Sequence, residues 1–189
     1  METLLAFLRQ LKPIADDDAA VITSYFKFRQ AKEGEYLLEP GQVCRTLFFI
    51  TTGVMRIFGV NDRGQDITHY FISDKQFCTI LKSFNGETIA DDGIQACCDV
   101  GLLYIGKRDL QELYQKLPYM VDLINEVNQE RMLEKIRLKN IYSGEDAANR
   151  YKLFLTEQAD VANRVPQHHI ASYLNITPQS LSRIRRGLS

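Results

Sequence analysis

The sequence has no long apolar run. Arg9 interrupts the first candidate, and no later segment approaches the roughly 18 to 20 residues that a membrane span needs. The opening residues also lack the basic start of an export signal, since Glu2 follows Met1. A protein free of the membrane and retained in the cytoplasm is therefore expected. The four cysteines, Cys44, Cys78, Cys97 and Cys98, lack C-x-x-C spacing, which argues against a zinc or dithiol motif. They read as reduced, partly buried thiols, with Cys97 and Cys98 adjacent in a strand and so on opposite faces. Histidine is scarcer: between Phe28 and Ile105 only His69 occurs. A metalloenzyme of the cupin sort needs two or three clustered His or carboxylate ligands and is thereby disfavoured. No metal, cofactor or catalytic residue is expected.

Acid is missing from one end. From Arg164 to Ser189 there are four arginines (Arg164, Arg183, Arg185, Arg186) and no Asp or Glu, against 19 basic and 24 acidic residues in the remainder. A basic terminal segment on an acidic body suits an anionic partner met at one end, as nucleic acid would be.

What is present is enough for a real core: 189 residues, 45% hydrophobic and 25% charged. Leu4, Leu8 and Leu11, then Val21, Ile22 and Tyr25, recur at helical spacing, so two short packing helices are predicted, broken at Pro13 and the acidic run Asp16 to Asp18. From about Phe28 to Ile105 the texture changes to short β-favouring runs (Leu47 to Ile50, Val54 to Phe58, Ile67 to Ile72), punctuated by Gly34, Gly41, Gly53 and Gly64. That density of turns suggests an antiparallel roll or sandwich. Helical spacing resumes from Arg108 to Leu117 and, restarted by Pro118, from Tyr119 to about Tyr142. This second helix carries two apolar stripes, one of Met120, Ile124 and Val127 and another of Leu123, Leu133 and Ile136. Such a helix can pack on its own roll and on a partner helix, or be buried within one subunit. Ser143 and Gly144 end it, and Glu145 and Asp146 open the next, so the boundary and its hinge are expected there.

The fold class is accordingly α+β. Its expected parts are a sensor-like roll with flanking helices over residues 1–117, a dimerisation helix over 118–142 and an all-α C-terminal domain over 143–189. In that last domain Ile170, Ala171, Leu174, Ile176, Leu181 and Ile184 are spaced as two short helices joined by a tight turn. Ala171 is small where the helices cross, Asn175 suits a left-handed turn residue, Thr177 can cap the second helix, and Pro178 fits its first turn. This is a helix-turn-helix pattern. It leaves Thr177, Gln179, Ser180, Ser182, Arg183 and Arg186 for a major groove. An adaptor that uses the same helices for protein contacts is the rival.

These residues resemble the Crp/Fnr family of bacterial regulators over nearly the whole chain. The roll is similar in Lys32-Glu33-Gly34-Glu35-Tyr36-Leu37, in Pro40-Gly41, and from Leu47-Phe48-Phe49-Ile50 through Gly53-Val54-Met55-Arg56. Val165-Pro166-Gln167, Ile170-Ala171-Ser172-Tyr173-Leu174 and Ser182-Arg183-Ile184 look like the family's helix-turn-helix, most like the versions of Bacteroidetes-type bacteria. The resemblance implies a cyclic-nucleotide-binding-like β-roll, a homodimer through the long helix, double-stranded DNA as partner, and recruitment or blocking of RNA polymerase.

Three departures qualify it. Nucleotide-binding members carry a Phe-Gly-Glu motif for the ribose and an Arg-Ser or Arg-Thr pair for the cyclic phosphate. Here Phe77-Cys78-Thr79 stands in the first place, and Ala90 and Asp91 in the second. The implied pocket near Thr79, Ala90 and Asp91 is thus degenerate, with a carboxylate where an anion should sit, and neither cAMP nor cGMP is expected as effector. An unidentified small effector stays open. Haem would have to use His69, Cys44 or Cys78, and the N-terminal cysteine group of an iron-sulfur sensor is lacking. Pro178 and Gln179 replace the Arg and Glu that better-known members show to the bases, while Arg183 keeps the second arginine, so a different site sequence is implied. The usual β-hairpin wing is expected to be absent or vestigial.

Overall fold

The computed structural model describes residues 1–61 and 64–188. Helices α1 (Glu2–Leu11) and α2 (Asp16–Tyr25) lead into strands β1 (Lys27–Ala31), β2 (Tyr36–Leu38), β3 (Thr46–Thr52), β4 (Met55–Val60), β5 (Asp66–Ile72) and β6 (Phe77–Cys78). A short helix α3 (Leu81–Gly86) precedes β7 (Gly93–Ala96) and β8 (Val100–Gly106). The strands form two antiparallel sheets ordered β1-β8-β3-β6 and β2-β7-β4-β5, closed face to face into a roll. All four turn glycines have positive φ. At Gly53 a side chain is doubly barred: φ is +105° and a Cβ would meet the Asp99 carbonyl at 2.7 Å.

Alternation along the strands sorts two cores. Phe48, Ile50 and Leu102 turn inward to meet Met55, Ile57, Ile94 and Ala96 of the other sheet, while Leu47, Phe49, Leu103 and Ile105 turn outward beneath the helices. Leu4 and Leu8 of α1 and Ile22 of α2 cover that outer face, together with α4 (Lys107–Lys116) and the start of α5 (Tyr119–Tyr142). The predicted two-helix lid and the limits of the long helix are thus observed. The second apolar stripe is corrected: Leu123 is buried with Met120, Ile124 and Val127, and beyond them Met132 (56%), Leu133 (67%) and Ile136 (51%) are exposed. Cys97 and Cys98 are corrected too, because β7 ends at Ala96 and both lie in the following turn, where the Cys98 sulfur accepts from the Val54 amide.

The remaining helices are α6 (Ala147–Glu157), α7 (Ala159–Ala162), α8 (Gln167–Tyr173) and α9 (Pro178–Leu188). Asp146 caps α6 by accepting from the Asn149 amide at 2.8 Å. Tyr151, Phe154, Val161, Ile170, Ala171, Leu174 and Leu181 form one cluster with Val54, Phe71 and Cys97 of the roll, so the C-terminal domain is seated on the second sheet. Helix α8 lies along β5, where the Ser172 hydroxyl accepts from the Thr68 amide (2.8 Å) and donates to the Asp66 carbonyl (3.1 Å).

One turn of α8 away, His169 is buried in the same seam, and burial, then the nearby Arg56 guanidinium and His168, push its imidazole down to about 4. Above the ordinary value of about 6.5 the ring is neutral in both folded and unfolded chains, and the docked state suffers no penalty. As pH falls from about 6.5 toward about 4 the unfolded chain binds a proton that the native one refuses, so stability is lost across that window, by roughly 3 kcal/mol at most. His169→Gln is expected to flatten this dependence. Urea midpoints measured from neutral pH down to the mid-acid range check it, and parallel wild-type and variant curves contradict it.

Candidate nucleic-acid interface

The turn between α8 and α9 is fixed by local chemistry. Asn175 takes the left-handed conformation (φ 54°), its amide donates to the Ser172 carbonyl (3.1 Å), and the Ile176 amide donates to the Ala171 carbonyl (2.9 Å). This pair of bonds is a Schellman closure, which satisfies the last carbonyls of α8. Thr177 then caps α9: its hydroxyl oxygen accepts from the Ser180 amide at 3.1 Å, and Pro178 fills the first helical position. Every turn residue singled out in the sequence has the role expected of it. Beneath the turn, Ile170, Ala171, Leu174 and Leu181 are each no more than 2% exposed, which fixes the rotation of α9 about its axis.

That rotation decides what faces out. Thr177, Gln179, Ser182, Arg183 and Arg186 are exposed. Ser180 is half-buried, and its hydroxyl is within 2.9 Å of the Thr177 hydroxyl, so these two serve the cap first. Arg186 reaches back to the Ser182 carbonyl at 3.4 Å. Sequence reasoning missed Arg185 and Gln167: together with Pro178, Ser182 and Arg186 they line one shallow groove on the outer side of the two helices. The signal for Arg185 was present, since it stands seven residues after Pro178 and three after Ser182, hence on their side of a helix. The helix has no acid in its first turn and ends on Arg185 and Arg186, whose charge its C-terminal dipole favours.

Arg164 is a correction. It belongs to the acid-free segment but not to an outward basic face, because it is held against both Asp74 carboxylate oxygens (3.1 and 3.0 Å) of the roll and also pairs with Asp160. Its charge is spent on joining the C-terminal domain to the roll.

The structure does not gather Thr79, Ala90 and Asp91 into a polar pocket. The Thr79 hydroxyl donates to the Thr46 carbonyl at 2.9 Å and touches the Cys44 sulfur at 3.2 Å. Ala90 is 2% exposed and packs with Cys44, Ile57, Cys78 and Ile94, against which Ile80 also rests. Asp91 faces solvent. Thr79 and Cys78 border a cavity of about 390 Å³ between the roll and α5, which Ala90 and Asp91 do not line. His69 stands outside this interior, paired with Asp92 at 3.3 Å, and burial pushes the Cys78 thiol up to about 12, which keeps it protonated.

Among the described residues of the roll, the buried charged side chain is Arg56, 1% exposed. It donates to the Gln95 side-chain oxygen (2.9 and 2.6 Å) and the Thr68 hydroxyl (2.9 Å), pairs with Asp66, and stacks 4.6 Å from the Phe58 ring centre. It lies under the seam with α8 and not in the roll interior.

Comparison with known proteins fits this organisation. Residues 28–117 match the cyclic nucleotide-binding domain family. The cyclic AMP receptor protein of Thermus thermophilus is 21% identical over 185 residues, which cover 93% of this chain and 83% of that one. The c-di-GMP-responsive global regulator CLP of Xanthomonas campestris superposes with a TM-score of 0.72 at 15% identity, covering 92% of this chain and 91% of its own. A protein of Eubacterium rectale described as a transcriptional regulator of the Crp/Fnr family does so at 0.73 and 18% identity, covering 96% and 86%. The chain therefore shares the fold of these regulators, a roll that matches the cyclic nucleotide-binding domain family, joined through a long helix to two C-terminal helices linked by a tight turn.

Proposed function

We propose that the chain is a dimeric, sequence-specific DNA-binding transcription regulator of the cytoplasm that acts on RNA polymerase and is not gated by cAMP or cGMP. The observation that carries the reading is α9: a capped helix whose outward face holds Gln179, Ser182, Arg183 and Arg186 and no carboxylate. A helix so presented suits the major groove, where Arg183 can reach guanine edges and the end arginines can meet phosphates. In this reading residues 1–117 are the sensor-type domain, 118–142 the dimerisation helix and 143–189 the DNA-binding domain.

The dimer rests on the exposed Met132, Leu133 and Ile136 of α5, with Ile136 one turn after the other two and so on their side of the helix. A matching strip on a second copy would cover them in a symmetric helix pair and set two α9 helices about one turn of DNA apart, roughly 34 Å. Nucleotide gating is argued against by the phosphate positions, where the apolar Ala90 and the solvent-facing Asp91 offer no cation. A cyclic phosphate needs a cation and donors to offset its desolvation, each charged hydrogen bond contributing about 1.5 to 3 kcal/mol. Losing about 4 kcal/mol in all weakens binding nearly a thousandfold.

Three outcomes are expected. Arg183→Ala costs about 1 to 3 kcal/mol at a selected DNA site, and wild-type affinity falls steeply with salt as counterions are released; fluorescence anisotropy on the selected duplex reads both, and insensitivity to substitution and salt alike refutes the assignment. Leu133→Asp converts a dimer into a monomer in sedimentation velocity, whereas a wild-type monomer at micromolar concentration sinks the helix pairing. Calorimetric titration with cAMP and with cGMP gives no binding at micromolar concentrations, and a low-micromolar dissociation constant for either overturns the reading of the roll.

A further inference from the structure

A cleft of about 420 Å³ opens where β5, the last turns of α5, the first turn of α6 and the α8–α9 turn meet. Lys135 and Lys139, one turn apart on α5, and Arg150 of α6 line it together with Tyr70, Tyr142 and Tyr173. No Asp or Glu is among the lining residues. This differs from other junctions between elements, where cations meet carboxylates: Arg137 with Glu134 and Glu157, Lys107 with Glu87, Arg164 with Asp74 and Asp160. Among the described residues none of Lys135, Lys139 and Arg150 has a carboxylate within 4 Å.

Two of these cations are also partly taken from water. The Lys135 ammonium stands 4.2 Å over the Tyr70 ring, and burial lowers its pKa against only the weaker opposing effect of the Cys78 thiol. Arg150 gives one terminal nitrogen to the Glu145 carbonyl at 2.9 Å, yet its Nε is buried with no acceptor. A buried donor without a partner and a desolvated cation without a counter-ion each cost free energy, and a bound anion removes both costs. The tyrosines supply flat apolar walls beside the charges, and the volume falls in the range of small-ligand sites.

We propose that this junction cleft binds a small anion bearing a planar ring, of the heteroaromatic or aryl phosphate class, with Lys135, Lys139 and Arg150 around the phosphate and the tyrosine faces against the ring. Because roll, long helix and helix-turn-helix each contribute a wall, an occupant holds the three in one arrangement, so it acts as an effector. That last consequence rests on the DNA-binding reading; occupancy itself does not, and the experiment measures occupancy without DNA.

The full chain is treated with limiting pyridoxal 5′-phosphate, a heteroaromatic phosphate whose aldehyde condenses with a neutral lysine amine, losing water to form an imine. Borohydride then delivers hydride to the imine carbon and fixes the adduct as a secondary amine for peptide mapping. A desolvated lysine with a lowered pKa is the faster nucleophile. Lys135 is expected to be modified saturably and about tenfold faster than the exposed lysines, and phenyl phosphate, which has the ring and the anion but no aldehyde, is expected to protect it. Lys139→Gln, an exposed substitution that leaves the fold intact, weakens that protection about fivefold, on the scale of one exposed charge contact. Labelling spread evenly over the lysines overturns the proposal. So does Lys135 labelling that phenyl phosphate fails to suppress, which marks a reactive lysine without an anion site.

Discussion

The edge of β5 is the constraint on which the arrangement turns. As the outer strand of its sheet, β5 pairs with β4 on one side and offers unpaired backbone groups on the other, a template for aggregation unless covered. The Ser172 hydroxyl is both acceptor and donor, so one side chain answers the Thr68 amide and the Asp66 carbonyl as a neighbouring strand would. This fixes the height of α8 along β5. The ring group of Phe71, Phe154 and Tyr173, with centroids 5.0 to 6.2 Å apart, fixes its tilt. The seat of the helix-turn-helix is thus part of the completion of the roll.

The same strand divides polar from apolar duties. On its inner side the roll is filled with aliphatic and sulfur side chains, and Ala90 is one of them. On its outer side the charges are organised in layers: Arg56 with Asp66 beneath α8, Arg164 with Asp74 at the far end, and Lys135 over Tyr70 toward α5. A roll that is apolar around Ala90 carries charged contacts at its junctions with α8, with the C-terminal helices and with α5. In a low-dielectric seam such contacts are strong when paired and costly when single. The uncompensated set beside Tyr70 therefore stands out from the others.

Features set by neighbouring residues were legible in the sequence. Asn175, Thr177 and Pro178 form the turn that their chemistry dictates, and Pro118 and Gly144 bound the long helix because one restarts a helix and the other tolerates the positive φ (85°) that ends it. What escaped was set by distance. Arg164 looked like part of a basic tail because its partner, Asp74, is ninety residues away in the chain. Leu123 joined the buried stripe because the N-terminal helices widen the contact beyond what the spacing within α5 suggests. Cys97 left the strand because β7 stops at Ala96 to let the Val54 backbone approach. The junction cleft draws its walls from four elements and had no local sequence signal.

The unbroken length of α5 has a mechanical consequence. Twenty-four helical residues, with neither proline nor glycine between Tyr119 and Tyr142, make a rod about 36 Å long. Its first two turns are clamped under the roll, and its last turns reach the hinge glycine. A rod fixed at one end converts angle into displacement: a tilt of only about 5° at the clamp moves the far end by about 3 Å, the rise of about two helical residues. Small repacking around Met120 and Ile124 would then reach the other end as a shift of the Gly144 hinge against the roll.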